Sequence, residues 1–203
     1  MTSILKVDRI ESRESGGNVT LGSPVSQDSS ISVLAHIVMT SDQNNLTEQQ
    51  WNKMKFDSAL IDTKSGFDNS DDRYTIPVAG YYRIYAQAFL GVDGESNSTR
   101  DSGICVTRTR SSIETQLAFS VHRHYNGSND TSDVTENVYI IDNCQVGDYI
   151  QFYSYVNTDT GTAYDVFADI DAADDNTHLN DNLPGIGSGE DRSTYFTIER
   201  ILA

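Results

Sequence analysis

From Ile31 onward, short apolar runs alternate with clusters of Gly, Asn, Asp and Ser: "SVLAHIVM", "KFDSALI", "RYTIPVAG", "YYRIYAQAFL", "GICVTRTR", "TQLAFSVHRHY", "ENVYIIDNC", "DYIQFYSYV" and "YFTIERIL". Nine such candidate strands, punctuated by turn formers, predict an all-β sandwich or jelly roll. The longest run, "PVAGYYRIYAQAFLGV" from Pro77 to Val92, reads as one strand with two different faces. Counting by twos, Tyr82, Ile84, Ala86, Ala88 and Leu90 form an apolar set that belongs inside a sandwich. The opposite set is Tyr81, Arg83, Tyr85, Gln87 and Phe89. Aromatic rings interleaved with one Arg and one Gln are too apolar for open water and too polar for a sealed core. That is the composition of a subunit contact.

Elsewhere the alternation weakens. "LTEQQWNKM" carries the one helical expectation, a single turn in which Thr47 to Gln50 resembles a capping box. Long connections are expected at Gly91 to Asp101 and at Asn157 to Arg192, the second polar, acidic and placed as a surface loop. Residues 1–30 form a separate zone. "SILKVDRI" alternates without a strong core face, and the Ser- and Gly-rich "ESRESGGNVTLGSPVSQDSS" follows, so this zone is expected to be an extended arm that orders by lying on something else. Residues 31–203 then make one domain, a common size for a single all-β unit.

Composition adds charge to this picture. Of 203 residues, 14 are Lys or Arg and 30 are Asp or Glu, a formal net charge of -16. Such a surface repels nucleic-acid phosphate and anionic membrane, so neither is expected as a partner. The N-terminal segment has no continuous apolar run of signal-peptide length, and no stretch approaches the ~20 apolar residues of a membrane-spanning helix. The expectation is a product made and kept in a cytoplasm. The Asn-x-Ser/Thr triplets beginning at Asn18, Asn45, Asn97, Asn126 and Asn129 are accordingly read as unmodified. Cys105 and Cys144 read as two buried thiols, with a bridge as the alternative.

The succession "TKSGFDNSDDRYTIPVAGYYRIYAQAFL", "GICVTRTR", "VYIIDNCQVGDYIQFYSYV" and "YFTIERIL" resembles the globular head domain of the first complement component, within the tumour-necrosis-factor-like superfamily. Pro77, Gly80, Tyr81 and Tyr82 match that family's Pro-x-x-Gly-x-Tyr-Tyr pattern in part, and Gly147-Asp148 matches its Gly-Asp before a strand. The family's closing Phe-x-Gly-Phe is replaced by "STYFTIERIL", without the Gly. The resemblance implies a ten-strand jelly roll that assembles as a homotrimer, with Tyr81, Tyr85 and Phe89 facing a neighbouring subunit. "SILKVDRIESRESGGNVTLGSPV" in turn resembles the N-terminal leader of tailed-bacteriophage fibre and decoration proteins. That likeness implies that Ile4, Leu5, Val7 and Ile10 attach the chain to a virion.

Candidate chemistry is sparse. His36, His122, His124 and His178 are accompanied by no Gly-x-Ser-x-Gly or His-Glu-x-x-His motif. His122 and His124 lie two apart on one strand face, yet two ligands do not make a metal site. "GIGSGE" lacks the strand-to-helix setting of a phosphate cradle. Asp165, Asp169, Asp171, Asp174 and Asp175 offer carboxylates, of which Asp169, Asp171 and Asp174 are the candidate calcium ligands, without the Gly and terminal Glu of a hand-type loop. The expectation is therefore a non-enzymatic protein with no cofactor and no resident metal. Its partners are copies of itself and a major capsid or other virion protein. It would be assembled in a bacterial host cytoplasm and displayed on the virion surface as a capsid decoration or cement protein. The alternative is a receptor-binding tip or short tail fibre whose loops recognise a host glycan.

Overall fold

The computed structural model describes residues 33–91, 99–125, 134–158, 163–168 and 193–202. All of them belong to one unit, Ser32–Ala203. Ile4, Leu5, Val7, Ile10, Asp169, Asp171, Asp174 and His178 lie outside the described residues. The strands in chain order are β1 (Leu34–Val38), β2 (Gln43–Leu46), β3 (Asn52–Lys53), β4 (Ser58–Asp62), β5 (Phe67–Asp68), β6 (Arg73–Thr75), β7 (Gly80–Gly91), β8 (Thr99–Arg110), β9 (Ile113–Tyr125), β10 (Val134–Cys144), β11 (Tyr149–Thr158), β12 (Tyr164–Phe167) and β13 (Tyr195–Leu202). They build two antiparallel sheets, and no helix is present among the described residues.

The first sheet is organised around β7. Along its whole length β7 pairs with β10, from Gly80 opposite Cys144 to Leu90 opposite Val134. On its other side β13 covers Tyr81 to Gln87 and β12 takes over at Phe89 to Gly91. Beyond β13 lie β1 and β4. The second sheet runs β5-β6-β11-β8-β9, with β3 also paired to β11. Its long β8–β9 hairpin turns through Ser111 and Ser112, both at positive φ (50° and 64°), the backbone of a two-residue primed turn built without Gly or Asn.

Between the sheets lies one apolar core. Tyr82, Ile84, Ala86, Ala88 and Leu90 of β7 are all fully buried, as the period of two requires. Phe152 of β11 stacks on Phe196 of β13 (centroids 4.7 Å apart, planes at 28°), and Phe56 meets both rings edge-on. This aromatic trio joins the two layers. Polar groups join them at the margins. Glu136 of β10, 1% exposed, accepts from Ser102 Oγ of β8 (2.5 Å) and pairs with His122 Nδ1 of β9 (2.6 Å). Farther along, Arg108 of β8 is ion-paired with Asp142 of β10. Arg110 grips Asp148 through Nε and Nη2 (2.9 and 2.6 Å). At the opposite margin, the Tyr164 hydroxyl of β12 accepts from Asn52 Nδ2 of β3 (3.0 Å) and shares a hydrogen bond with Ser154 Oγ of β11 (2.9 Å).

Three expectations change. The segment from Leu46 to Met54 is a turn followed by β3, not a helical turn: Gln49 sits at φ 58°, and its N–H donates to the Val156 carbonyl (2.8 Å) instead of starting a helical ladder. Pairing against β11 overrides a weak cap. The stretch after Asn157 is not wholly surface loop, because Tyr164–Phe167 form β12 with Tyr164 and Val166 buried. The thirteen strands among the described residues also exceed the nine read from the sequence, the additions being β2, β3, β5 and β12, each of four residues or fewer. Cys105 and Cys144 are both free and buried, in agreement with the thiol reading.

Candidate functional site

Register decides what the outer face of the first sheet presents. Opposite Tyr85 on β7 stands Tyr139 of β10, and opposite Arg83 stands Ile141. On the other flank Thr197 of β13 faces Tyr85, and Glu199 faces Arg83. Since every second residue points outward, these strands align Tyr81, Arg83 and Tyr85 with Tyr139 and Ile141 in neighbouring rows. Tyr139 is 53% exposed, Ile141 46% and Tyr81 44%. Leu60 and Ile61 of β4, at the far edge of the same sheet, are exposed as well.

The centre of this face is already ordered. Tyr85 and Tyr195 rings lie 5.8 Å apart, and His36 meets Tyr195 edge-on at 5.3 Å. The Tyr85 hydroxyl donates to Gln87 Oε1 (3.2 Å), and Gln87 Nε2 donates to the Ser193 carbonyl (2.9 Å). Burial, and after it hydrogen bonding with Tyr195, pushes the Tyr85 phenol up to about 12, so it stays a neutral donor at any physiological pH. Arg83 pairs with Glu199 at 3.1 Å, both half in solvent, a screened contact worth little on its own. The face is thus apolar in the middle, with the charge of Arg83 balanced by Glu199.

Of the expected contact residues, Tyr81 and Arg83 are exposed and Tyr85 and Gln87 half-buried on this face. Phe89 shares their side of β7 but is only 6% exposed, because Phe167 of β12 packs on it with ring centroids 5.8 Å apart. Tyr139 and Ile141 escaped the sequence reading. "VYII" is apolar at four consecutive positions, so alternation does not mark an outer set. Only the β7–β10 register reveals that Tyr139 and Ile141 face outward while Val138 is buried.

The remaining candidate chemistry is dispersed. His122 is engaged with Glu136, and Asp165 accepts the Asn45 N–H at 2.6 Å. Among the described residues no group of three His, Cys, Asp or Glu is placed to hold a metal ion. Burial pushes the Cys105 thiol up to about 11 and the Cys144 thiol up to about 12, with neighbouring carboxylates adding to each shift. Neither is a ready nucleophile.

No protein-family model matches the chain, and no curated protein matches it. Among solved structures it is similar to the Eiger TNF of S. frugiperda, at 9% identity over 84% of this chain and 93% of that one, with a TM-score of 0.55. Murine APRIL at pH 8.0 is similar at 12% identity, over 84% of this chain and 99% of the other, with a TM-score of 0.52. The globular domain of zebrafish complement 1qA protein matches at 11% identity, 83% and 95% coverage, and a TM-score of 0.46. At these identities the likeness concerns the fold, which is a tumour-necrosis-factor-like jelly roll.

Proposed function

We propose that this chain is a non-enzymatic, self-assembling jelly-roll module: a homotrimeric capsid decoration or cement protein of a tailed bacteriophage, fastened to the particle by residues 1–30. The observation that carries self-association is the row of Tyr81, Tyr139 and Ile141 standing half in water around the ordered Tyr85–Tyr195 pair. Fully burying a large apolar side chain yields about 1.5–3 kcal/mol, so covering the exposed half of each contributes roughly half of that. Such contributions come from both sides of a contact and add up against an association cost of about 4 kcal/mol or more. The number three rests on the resemblance to complement-type heads. The virion setting rests on the leader-like "SILKVDRI" segment and on the acidic balance of the chain.

Sedimentation of the full chain at micromolar concentration tests the first part: a trimer is expected, and a monomer would remove it. The attachment role is tested by deleting residues 1–30 and measuring co-sedimentation with particles that lack the native protein. Loss of binding by a soluble, folded trimer is expected, because an extended arm binds by adding strand hydrogen bonds and apolar contacts to a neighbour. Full occupancy by the truncated protein would show that the arm is not the anchor.

A further inference from the structure

We propose that the outer face of the second sheet carries a binding site for a neutral pyranose sugar, with Trp51 as stacking platform and Glu114, Gln116 and Tyr153 as its hydrogen-bonding wall. These residues line a pocket of about 320 Å³ with Cys105 and Thr107 in its floor. That volume falls at the lower end of small-ligand sites. The site stands independently of the self-association reading, being on the other sheet.

Two irregularities build the hollow. The turn before β3 lifts Trp51 above the sheet, where it packs on Tyr155 with ring centroids 5.2 Å apart and remains 39% exposed. The turn is pinned: Asn52 Nδ2 donates to the Thr47 carbonyl at 2.7 Å and to the Gln50 carbonyl at 3.1 Å, and the Gln49 N–H donates to Val156. On the far wall, register between β8 and β9 slips at Val106/Thr107, so that Ala118 faces Val106 and Gln116 faces Thr107. Such a bulge re-aims side chains. Gln116 and Glu114 thereby stand in the pocket wall across from the tryptophan.

The lining matches a polyhydroxylated ring better than other ligands. An indole face accepts the apolar C–H side of a pyranose, while carboxylate, amide and phenol supply acceptors and donors at the edge. Tyr153 donates to Glu114 Oε1 at 2.9 Å, which orients the carboxylate and leaves its second oxygen for a ligand hydroxyl. Burial, then Glu114, pushes the Tyr153 phenol up to about 12, keeping that donor protonated. The Thr107 hydroxyl, in a residue 8% exposed, lies within reach of the Tyr153 hydroxyl at the foot of that wall. Among the described residues no Lys, Arg or His lines the pocket, so an anionic sugar or phosphate meets a carboxylate and a chain of net charge -16. Trp51 and Tyr155 pack against each other as one surface instead of enclosing a cation from several sides, which disfavours a quaternary ammonium ligand.

Trp51 is the only tryptophan in the chain, so its emission reports on this pocket alone. The full chain is titrated with cellotetraose, maltotetraose and chitotetraose, and separately with sialyllactose and tetramethylammonium chloride. A saturable change with at least one neutral tetrasaccharide is expected, weakened about ten-fold in Glu114→Ala and in Gln116→Ala at unchanged thermal midpoint. Calorimetry should find that Trp51→Ala no longer binds the same sugar. Absence of any saturable response to the neutral sugars up to millimolar concentration overturns the proposal. So does a response confined to sialyllactose or tetramethylammonium, or wild-type affinity in both wall variants. Sedimentation of the same samples keeps the result separate from the oligomeric state.

Discussion

The outer faces of the two sheets are both rich in tyrosine, yet they differ in relief. On the first sheet, unbroken register between β7 and β10 sets Tyr85 beside Tyr139 and Ile141 beside Arg83 in neighbouring rows, and the shifts in that sheet fall on its flanks, at His36/Ile37 and Arg200/Leu202. On the second, a bulge in the β8–β9 ladder and a raised turn before β3 leave a hollow between Trp51 and Glu114. The lesson is that regular pairing makes a surface for something equally flat, such as another copy of the chain, whereas broken pairing makes a receptacle for something small. Charge follows the same division. The flat face balances Arg83 internally against Glu199, while among the described residues no cation lines the hollow beside Glu114.

The strongest way to break the comparison is to remove what both faces share. Phe196→Ala deletes the ring that stacks on Phe152 and meets Phe56, and a buried Phe→Ala change costs about 3–5 kcal/mol. Denaturant unfolding should show that loss, with self-association and Trp51 response falling together. Next in size is Tyr85→Asp, which puts a charge in the middle of the flat face. An unpaired buried charge costs roughly 3–5 kcal/mol, so association should weaken by more than about 100-fold in sedimentation, while the sugar response of Trp51 is unchanged. If Glu114→Ala disrupted assembly as much as Tyr85→Asp does, the two faces would not be separate in function.

How far these faces were legible in the sequence follows from their geometry. The inner set of β7 was readable because alternation has a fixed period of two, and Tyr82 through Leu90 are buried as counted. The outer set was readable as a composition, but Phe89 was already covered by Phe167 from β12, a four-residue strand inside what reads as an acidic loop. Tyr139 and Ile141 were hidden by a run apolar on both faces. The hollow was not legible at all. Trp51 sits in a stretch that resembles a capped helical turn, and its partners Glu114 and Gln116 are some sixty residues away in sequence, joined to it only through β11 and β8. Gly147-Asp148, by contrast, was recognisable as a motif, and the fold explains it: Gly147 turns at φ 84° and Asp148 is the buried partner of Arg110.

That partnership yields a pH prediction that leaves both faces intact. Burial opposes ionisation of Asp148, but hydrogen bonds from Arg110 and the Gln145 N–H, with the charges of Arg110 and Arg108, more than offset it and hold the carboxyl below its usual range. A depressed folded-state value means stabilisation that is present above the unfolded carboxylate value, near 4. It is lost as pH falls further through the folded value. The thermal midpoint should therefore drop on acidification below about pH 4, and Asp148→Asn should lower the midpoint at neutral pH while flattening that acid slope. An unchanged slope in the variant would assign the acid sensitivity to other carboxylates.

The smallest expected effect lies in the hairpin that holds the hollow's far wall. Ser111 and Ser112 both occupy the left-handed region, at φ 50° and 64°, between the last pair of β8 and β9, Arg110 opposite Ile113. An L-residue pays roughly 1–2 kcal/mol there, and Asn-Gly is the pair that adopts a two-residue primed turn with least strain. Replacing Ser111-Ser112 by Asn-Gly should raise stability by about 1 kcal/mol, less the greater freedom that Gly gains when unfolded. Glu114 begins one residue beyond Ile113, so the stiffened turn should also hold the carboxylate wall more firmly without adding a contact to a ligand. The expected outcome is a higher thermal midpoint, an unchanged sedimentation profile, and a sugar affinity equal to or slightly above that of the parent chain. A weaker sugar response at raised stability would mean that the wall must move to admit its ligand, and the hollow would then be a site that closes around its occupant instead of one already formed.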